Sequence, residues 1–307
     1  MQTGWVNADG QRYYLDGSGA MRTGWLLLDG SWYYLDGSGA LATGWHSVNG
    51  TWYALDPATG EMATGWLQDG GTWYYLDGSG AMATGWRYVN GSWYWFWGSG
   101  AMQGPGWAWV NGSWYWFRDF GGMATGWAFD GNAWYYLNDS GSIYAGWLHY
   151  GSDWYFFSSG GAMATGWLQD GGTWYYLTNG GAMAVGLYAV DGVTYVFDSS
   201  GAMCTGWAQV DGIWYYLDGS GGAHTGWLSI GPHTYYFDSA GKMAVGWATL
   251  GDTAYYFDES GALEKTENVA VETAPTAAAR GGETFNSAPP ADSAAVAKVD
   301  SKTTTTR

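Results

Sequence analysis

Two tryptophans seven positions apart, the second followed by two tyrosines, are the densest set of chemically useful side chains in this sequence. In residues 23–41, TGWLLLDGSWYYLDGSGAL, they are Trp25, Trp32, Tyr33 and Tyr34. Ring faces carry negative quadrupole density and attract a cation, each good contact contributing about 0.5–2 kcal/mol. A methylated ammonium suits such faces best, because its hydration is cheaply removed and a bare ammonium loses far more. The chemistry on offer is binding. No catalytic set accompanies it: Asp9, Asp16, Asp29, Asp36 and Asp77 lie in turn contexts where local hydrogen bonding accounts for them. His46, His149, His224 and His233 are dispersed and form no metal set. The Gly-rich pieces precede neither a helix nor a Lys, so no phosphate loop is expected. The reading is a non-enzyme without a cofactor.

The elements that position these rings repeat. The Trp of a Gly-Trp pair recurs at 5, 25, 45, 66, 86, 107, 127, 147, 167, 207, 227 and 247, with Leu187 in the one remaining slot. That makes thirteen units of 20 or 21 residues, and a period of this kind marks a stacked-repeat architecture. Most units hold two short apolar runs around Asp-Gly or Asn-Gly, as at Asp29-Gly30, Asn49-Gly50, Asn90-Gly91, Asn111-Gly112, Asp191-Gly192 and Asp211-Gly212. Such pairs signal tight β-hairpins. One hairpin is marginal in water, whereas stacked hairpins bury one another. The expected fold is an all-β solenoid of about thirteen hairpins.

A two-residue loop at Asp29-Gly30 sets Trp25 opposite Tyr34 and Leu27 opposite Trp32. Strand alternation then places Trp25, Leu27, Trp32 and Tyr34 on one face, and Leu26, Tyr33 and Leu35 on the other. Stacking brings the Trp pair to the opposite-face Tyr of the next unit, Tyr53, over a Met or Leu floor, with Leu41 between them in sequence. The second Tyr of each unit is read as packing; the two Trp and the first Tyr are read as ligand-facing.

The chain has 307 residues, 20% aromatic and 12% charged, which favours many small cores over one large one. No run approaches the roughly 18 apolar residues that would cross a bilayer. The net charge is −17, and up to residue 263 the basic residues are Arg12, Arg22, Arg87, Arg118 and Lys242 alone. Such a surface repels phosphate backbones and excludes nucleic-acid binding, while tolerating a cationic ligand. The single cysteine, Cys204, stands where sister units carry Ala42, Ala83 and Ala164, and is expected to be a small buried side chain. Met1 falls in register with Met21, Met62 and Met82, so the visible start is expected to lie inside a repeating array, with no signal peptide in view. From 264 the composition turns to Ala, Thr, Ser and Pro without Trp or Tyr. Residues 1–263 are thus read as the repeat region and 264–307 as a disordered tail or linker.

The pattern TGW…DG.WYYL…SGAM.TGW resembles the choline-binding, or cell-wall-binding, repeats of Gram-positive surface proteins and wall-lytic enzymes, over residues 1–263. The resemblance implies a hairpin solenoid, extracellular and wall-associated, that binds choline on wall and lipoteichoic acids between neighbouring repeats and anchors an attached domain, such as a wall hydrolase. Carried over unit by unit, it implies boxes at Trp25, Trp32, Tyr53; Trp45, Trp52, Tyr74; Trp66, Trp73, Tyr94; Trp86, Trp93, Tyr115; and Trp107, Trp114, Tyr135. Four more follow at Trp127, Trp134, Tyr155; Trp147, Trp154, Tyr175; Trp167, Trp174, Tyr195; and Trp207, Trp214, Tyr235. Four units depart from the pattern. Arg12 replaces the second Trp of the first, which leaves Tyr33 idle; the tenth carries Leu187 and Thr194, the twelfth Thr234, the thirteenth Ala254. Related repeats bind glucans and read more like VDGVTYVFDSSG, as residues 190–201 do here. Glucan binding, a structural adhesin stalk and a homodimer through terminal repeats stay open at this point.

Overall fold

Type I′-like turns set the architecture. Asp29 and Gly30 both have positive φ, 51° and 88°, as this turn demands, and an Asp tolerates the left-handed region because its short side chain bonds locally. Each of the other Asn-Gly and Asp-Gly pairs named above does the same. The computed structural model describes residues 1–268 and the short strand Ala297–Val299. Its described residues form thirteen antiparallel hairpins and no helix. Strands Gly24–Leu28 and Ser31–Leu35 pair as Leu28↔Ser31, Leu27↔Trp32, Leu26↔Tyr33 and Trp25↔Tyr34, the register read from the loop.

The chain divides into two compact units, Met1–Tyr144 with seven hairpins and Ala145–Arg307 with six. Within each, the residue closing the second strand is buried: Leu35, Leu55, Leu76, Phe96, Phe117 and Leu137 in the first, Phe157, Leu177, Phe197, Leu217, Phe237 and Phe257 in the second. One buried Leu or Phe in every hairpin but the first, where Leu15 is half-buried, each contributing about 1.5–3 kcal/mol, makes a row of small cores instead of one large core. Cys204 joins the row among Val196, Ala208, Tyr215 and Leu217, and burial pushes its thiol pKa up to about 11.

Between hairpins the chain turns on an Asp. The Asp36 carboxylate accepts the backbone N–H of Ser38 and Ala40 and the Ser38 hydroxyl. Asp16 and Asp77 repeat the device. These bonds, the seryl hydroxyl first, hold all three carboxyls below their ordinary pKa. These three carboxylates are thus structural.

The strands run on past residue 263. Leu263–Asn268 is a strand that pairs with Thr253–Phe257 as the third strand of the last hairpin sheet. The second strand of that hairpin offers an unpaired edge, and an extended neighbour satisfies it. Ala297–Val299 runs parallel to Gly206–Val210, Ala208 opposite Ala297. The remainder of the expected disordered tail lies outside the described residues.

Candidate functional site

The Trp pair of one hairpin meets the first Tyr of the next. Trp25 lies 6.3 Å from Trp32 and 4.7 Å from Tyr53, edge-to-face in both cases. Together with Met62 and the turn Gly78-Ser79 they line an open cavity of about 290 Å³. The same arrangement recurs as Trp45, Trp52, Tyr74, Met82, Gly98 and Ser99 around about 240 Å³, and as Trp86, Trp93, Tyr115, Met123, Asp139 and Ser140 around about 330 Å³. Three ring faces and a polarizable thioether, closed on one side and open to water on the other, suit a compact apolar cation.

The remaining triples assemble to different degrees. Trp66 stands 6.2 Å from Trp73 and 4.8 Å from Tyr94, and Trp167 stands 6.3 Å from Trp174 and 4.8 Å from Tyr195. Trp107 meets Tyr135 at 4.7 Å and Trp147 meets Tyr175 at 4.9 Å, with Trp114 and Trp154 exposed beside them. The sixth triple is divided: Trp127 and Trp134, 6.3 Å apart, belong to the first compact unit and Tyr155 to the second. Trp207, Trp214 and Tyr235 come together at 6.2 and 4.9 Å but are closed to solvent. Trp214 is 2% exposed where Trp32 is 42%, and the indole N–H groups of Trp207 and Trp214 find no acceptor among the described residues.

In the first unit the Arg12 guanidinium sits 4.2 Å above the Trp5 ring. Tyr33 is present at 5.2 Å from Trp5 and donates its hydroxyl to Glu61 at 3.0 Å. The chain thus places its own cation on the ring that a ligand would use. Tyr34 packs edge-on against Trp25 at 5.1 Å, as Tyr75, Tyr176, Tyr216 and Tyr236 do against Trp66, Trp167, Trp207 and Trp227.

Three contributors escape the sequence reading. The first is which residue forms the expected Met or Leu floor. Met62, not Leu41, walls the Trp25 box, and its N–H donates to the Trp32 carbonyl at 2.8 Å; Leu41 makes that bond to Arg12 one unit earlier. The second is Gly80, at φ 82°, where a Cβ would collide with the Met62 thioether; a side chain there would push the wall out of place. The third is an Asp three positions after a Gly-Trp tryptophan. Asp69, Asp130 and Asp170 accept the indole N–H of Trp45, Trp107 and Trp147 from the preceding units at 2.9, 3.3 and 2.8 Å. The backbone N–H groups of Ala133 and Asn132 lead in holding Asp130 down to about 2. Each such carboxylate orients a ring and adds negative charge near it. Its sequence signal is the Asp at a site where most units carry Val, Leu or Ile.

Comparison with known proteins agrees with this repeat geometry. No curated protein matches the chain by sequence. Among solved structures, choline binding protein F of Streptococcus pneumoniae is 30% identical, over 86% of this chain and 100% of its own, at a TM-score of 0.52. The modular autolysin LytC of the same organism, solved with a synthetic peptidoglycan ligand, is 27% identical over 79% of this chain at a TM-score of 0.53. This chain spans 52% of that autolysin. The putative cell wall binding repeat model matches residues 84–102. The choline-binding repeat model matches 2–44, 42–84, 105–145, 144–188, 184–224 and 224–267, and the chain accordingly belongs to the choline-binding repeat family.

Proposed function

We propose that the chain is a non-catalytic targeting module that holds the choline groups of teichoic and lipoteichoic acids in its open boxes and fastens an attached domain to the outside of a cell wall. The observation that carries this reading is the repeated cavity of two Trp, one Tyr and one Met, as at Trp25, Trp32, Tyr53 and Met62. A trimethylammonium group meets three ring faces there, and the anionic surface adds long-range attraction. Each box alone is weak. Several on one chain make the second engagement intramolecular, so a polymer bearing many cholines is held far more tightly than free choline.

The test is a titration with choline and, separately, with a glucan oligosaccharide, followed by tryptophan fluorescence and thermal melting. Choline should give saturable quenching and a raised melting midpoint. Trp66→Ala with Trp73→Ala should remove one site's share while the other boxes respond as before. A response to glucan alone would sink the choline reading, and a response to neither would leave a structural stalk.

A further inference from the structure

The third hairpin departs from its neighbours in two places that meet in space. Across the strands Trp45 pairs with Ala54, where Trp25 pairs with Tyr34 and Trp66 with Tyr75. In those neighbours the tyrosine ring packs on the tryptophan with centroids 5.1 and 5.2 Å apart. The turn after the third hairpin is also one residue longer. Asp56 N–H reaches the Glu61 carbonyl, five residues on, whereas Asp36 N–H closes on Ala40, four residues on. The longer turn carries Pro57, whose ring fixes φ and stiffens the loop.

Between these departures lies a cavity of about 250 Å³. Its apolar lining is Trp45, Ala54, Leu55, Pro57, Ala63 and Leu67, and its polar groups are Asp56, Gln68 and Asp69. Trp45 also lines the box with Trp52 and Tyr74, so one indole serves two separate cavities. Ala54 and Leu55 are buried and form a dry floor. The carboxylates are spoken for on one oxygen each. Asp69 Oδ2 accepts the Trp45 indole N–H at 2.9 Å. Asp56 Oδ1 accepts the backbone N–H of Ala58 and Thr59 and the Thr59 hydroxyl. The other oxygen of each carboxylate has no partner among the described residues.

We infer that this cavity is a second kind of binding site, for a small single-ring aromatic molecule bearing a hydroxyl or amino donor, which takes the place a tyrosine ring fills in neighbouring hairpins. The size follows from what Ala54 leaves uncovered. Flatness follows from the Trp45 ring, whose counterparts Trp25 and Trp66 carry the rings of Tyr34 and Tyr75, since aromatic pairs gain beyond area burial. The donor follows from the carboxylates, which when ionised only accept. The same charges turn away an aromatic acid. An apolar cavity of this order does capture a ring-sized guest. The inference stands apart from the choline reading, because it uses a different cavity.

The test uses 4-methylphenol, the tyrosine side chain itself, followed by saturation-transfer NMR on the full chain with choline present in excess to occupy the boxes. The wild-type protein should bind saturably, benzoate should not, and choline should not displace the phenol. Ala54→Tyr should weaken binding at least tenfold while keeping the near-ultraviolet dichroism of the array and raising its melting midpoint. Should that variant fail to fold, Ala54→Leu fills the same floor with a smaller group and should show the same loss. No binding to the wild type, displacement by choline, equal binding of benzoate, or undiminished binding to a folded Ala54 variant would each overturn the inference.

Discussion

The boxes around Trp25 and Trp207 hold the same three residue types at the same spacing and nearly the same ring distances, 6.3 and 4.7 Å against 6.2 and 4.9 Å. One is open to solvent and the other is sealed. Trp32 stands 42% exposed at the rim of the first, whereas Trp214 is 2% exposed among Tyr235, Phe237, Met243 and Ala262. A motif that specifies ring geometry does not by itself specify access. Access is set by what lies outside the three rings. At Trp25 that is Met62 and an open Gly-Ser turn; at Trp207 the rings pack with Met243 and Ala262, and their hairpin takes Ala297–Val299 as a third strand beside Gly206–Val210.

The largest effect that can break this comparison is on stability. Trp214→Ala should cost about 3–5 kcal/mol, the loss typical of a buried aromatic, and leave the number of choline sites unchanged. Trp32→Ala should cost about 1 kcal/mol or less and remove one site. Urea unfolding midpoints and calorimetric stoichiometry, measured on both variants, read the two effects. Equal destabilisation would mean that the sealed box is no different from the open one.

How much of this was legible in the sequence depends on how far apart the cooperating residues lie. Asp29-Gly30 fixes its own hairpin, so the Trp25↔Tyr34 register could be read from the loop alone. The Trp25–Tyr53 meeting could be read too, because alternation puts the first Tyr on the opposite face of the adjacent unit. Met62 could not. It comes from the connector beyond Tyr53, and period-2 alternation says nothing about how one hairpin is rotated on the next, so a Met or Leu floor could be expected but not located. The sealing of Trp214 was beyond reach for another reason: its Trp-Trp-Tyr spacing is that of every open box. Asp69, Asp130 and Asp170 were visible as residues but mute as partners, since their tryptophans lie 23 or 24 positions earlier. The edge strand at 263–268 escaped because its composition is that of a tail.

The first unit offers a way to sharpen the comparison. Trp5 and Tyr33 already stand 5.2 Å apart, and the Leu41 N–H already bonds the Arg12 carbonyl. Arg12→Trp should therefore add one choline equivalent in a calorimetric titration. It also removes a cation–π contact worth about 0.5–1 kcal/mol at an exposed site. No added equivalent would show that a leucine cannot stand in for the methionine wall.

The smallest expected effect is a titration. Asp130 is held from 3.8 down to about 2, led by the N–H groups of Ala133 and Asn132. A depressed carboxyl stabilises above its unfolded pKa and loses that contribution as pH falls through the folded value. The indole N–H resonance of Trp107, bonded to Asp130, should hold steady down to pH 3.8 and shift as the pH approaches about 2. The Trp207 indole, with no acceptor among the described residues, should not follow it. A Trp107 midpoint near 3.8 would sink the assignment.

The reach of one box, from Trp25 to Ser79, fixes a minimum length for function. Its tryptophans come from one hairpin, its tyrosine from the next, and its far wall from the connector and turn that flank the hairpin after that. Within the first compact unit, a hairpin such as Gly44–Leu55 therefore takes part in more than one box, giving Tyr53 to the box of Trp25 and Trp45 and Trp52 to its own. A fragment of one or two units would carry every residue type the site needs and complete none. An array lengthened by one whole unit gains one whole box, because the new unit supplies each part to a neighbour that lacked it. Growth by duplication is thus linear in sites, and excision of a single interior unit forces new neighbours on the boxes to either side of the cut.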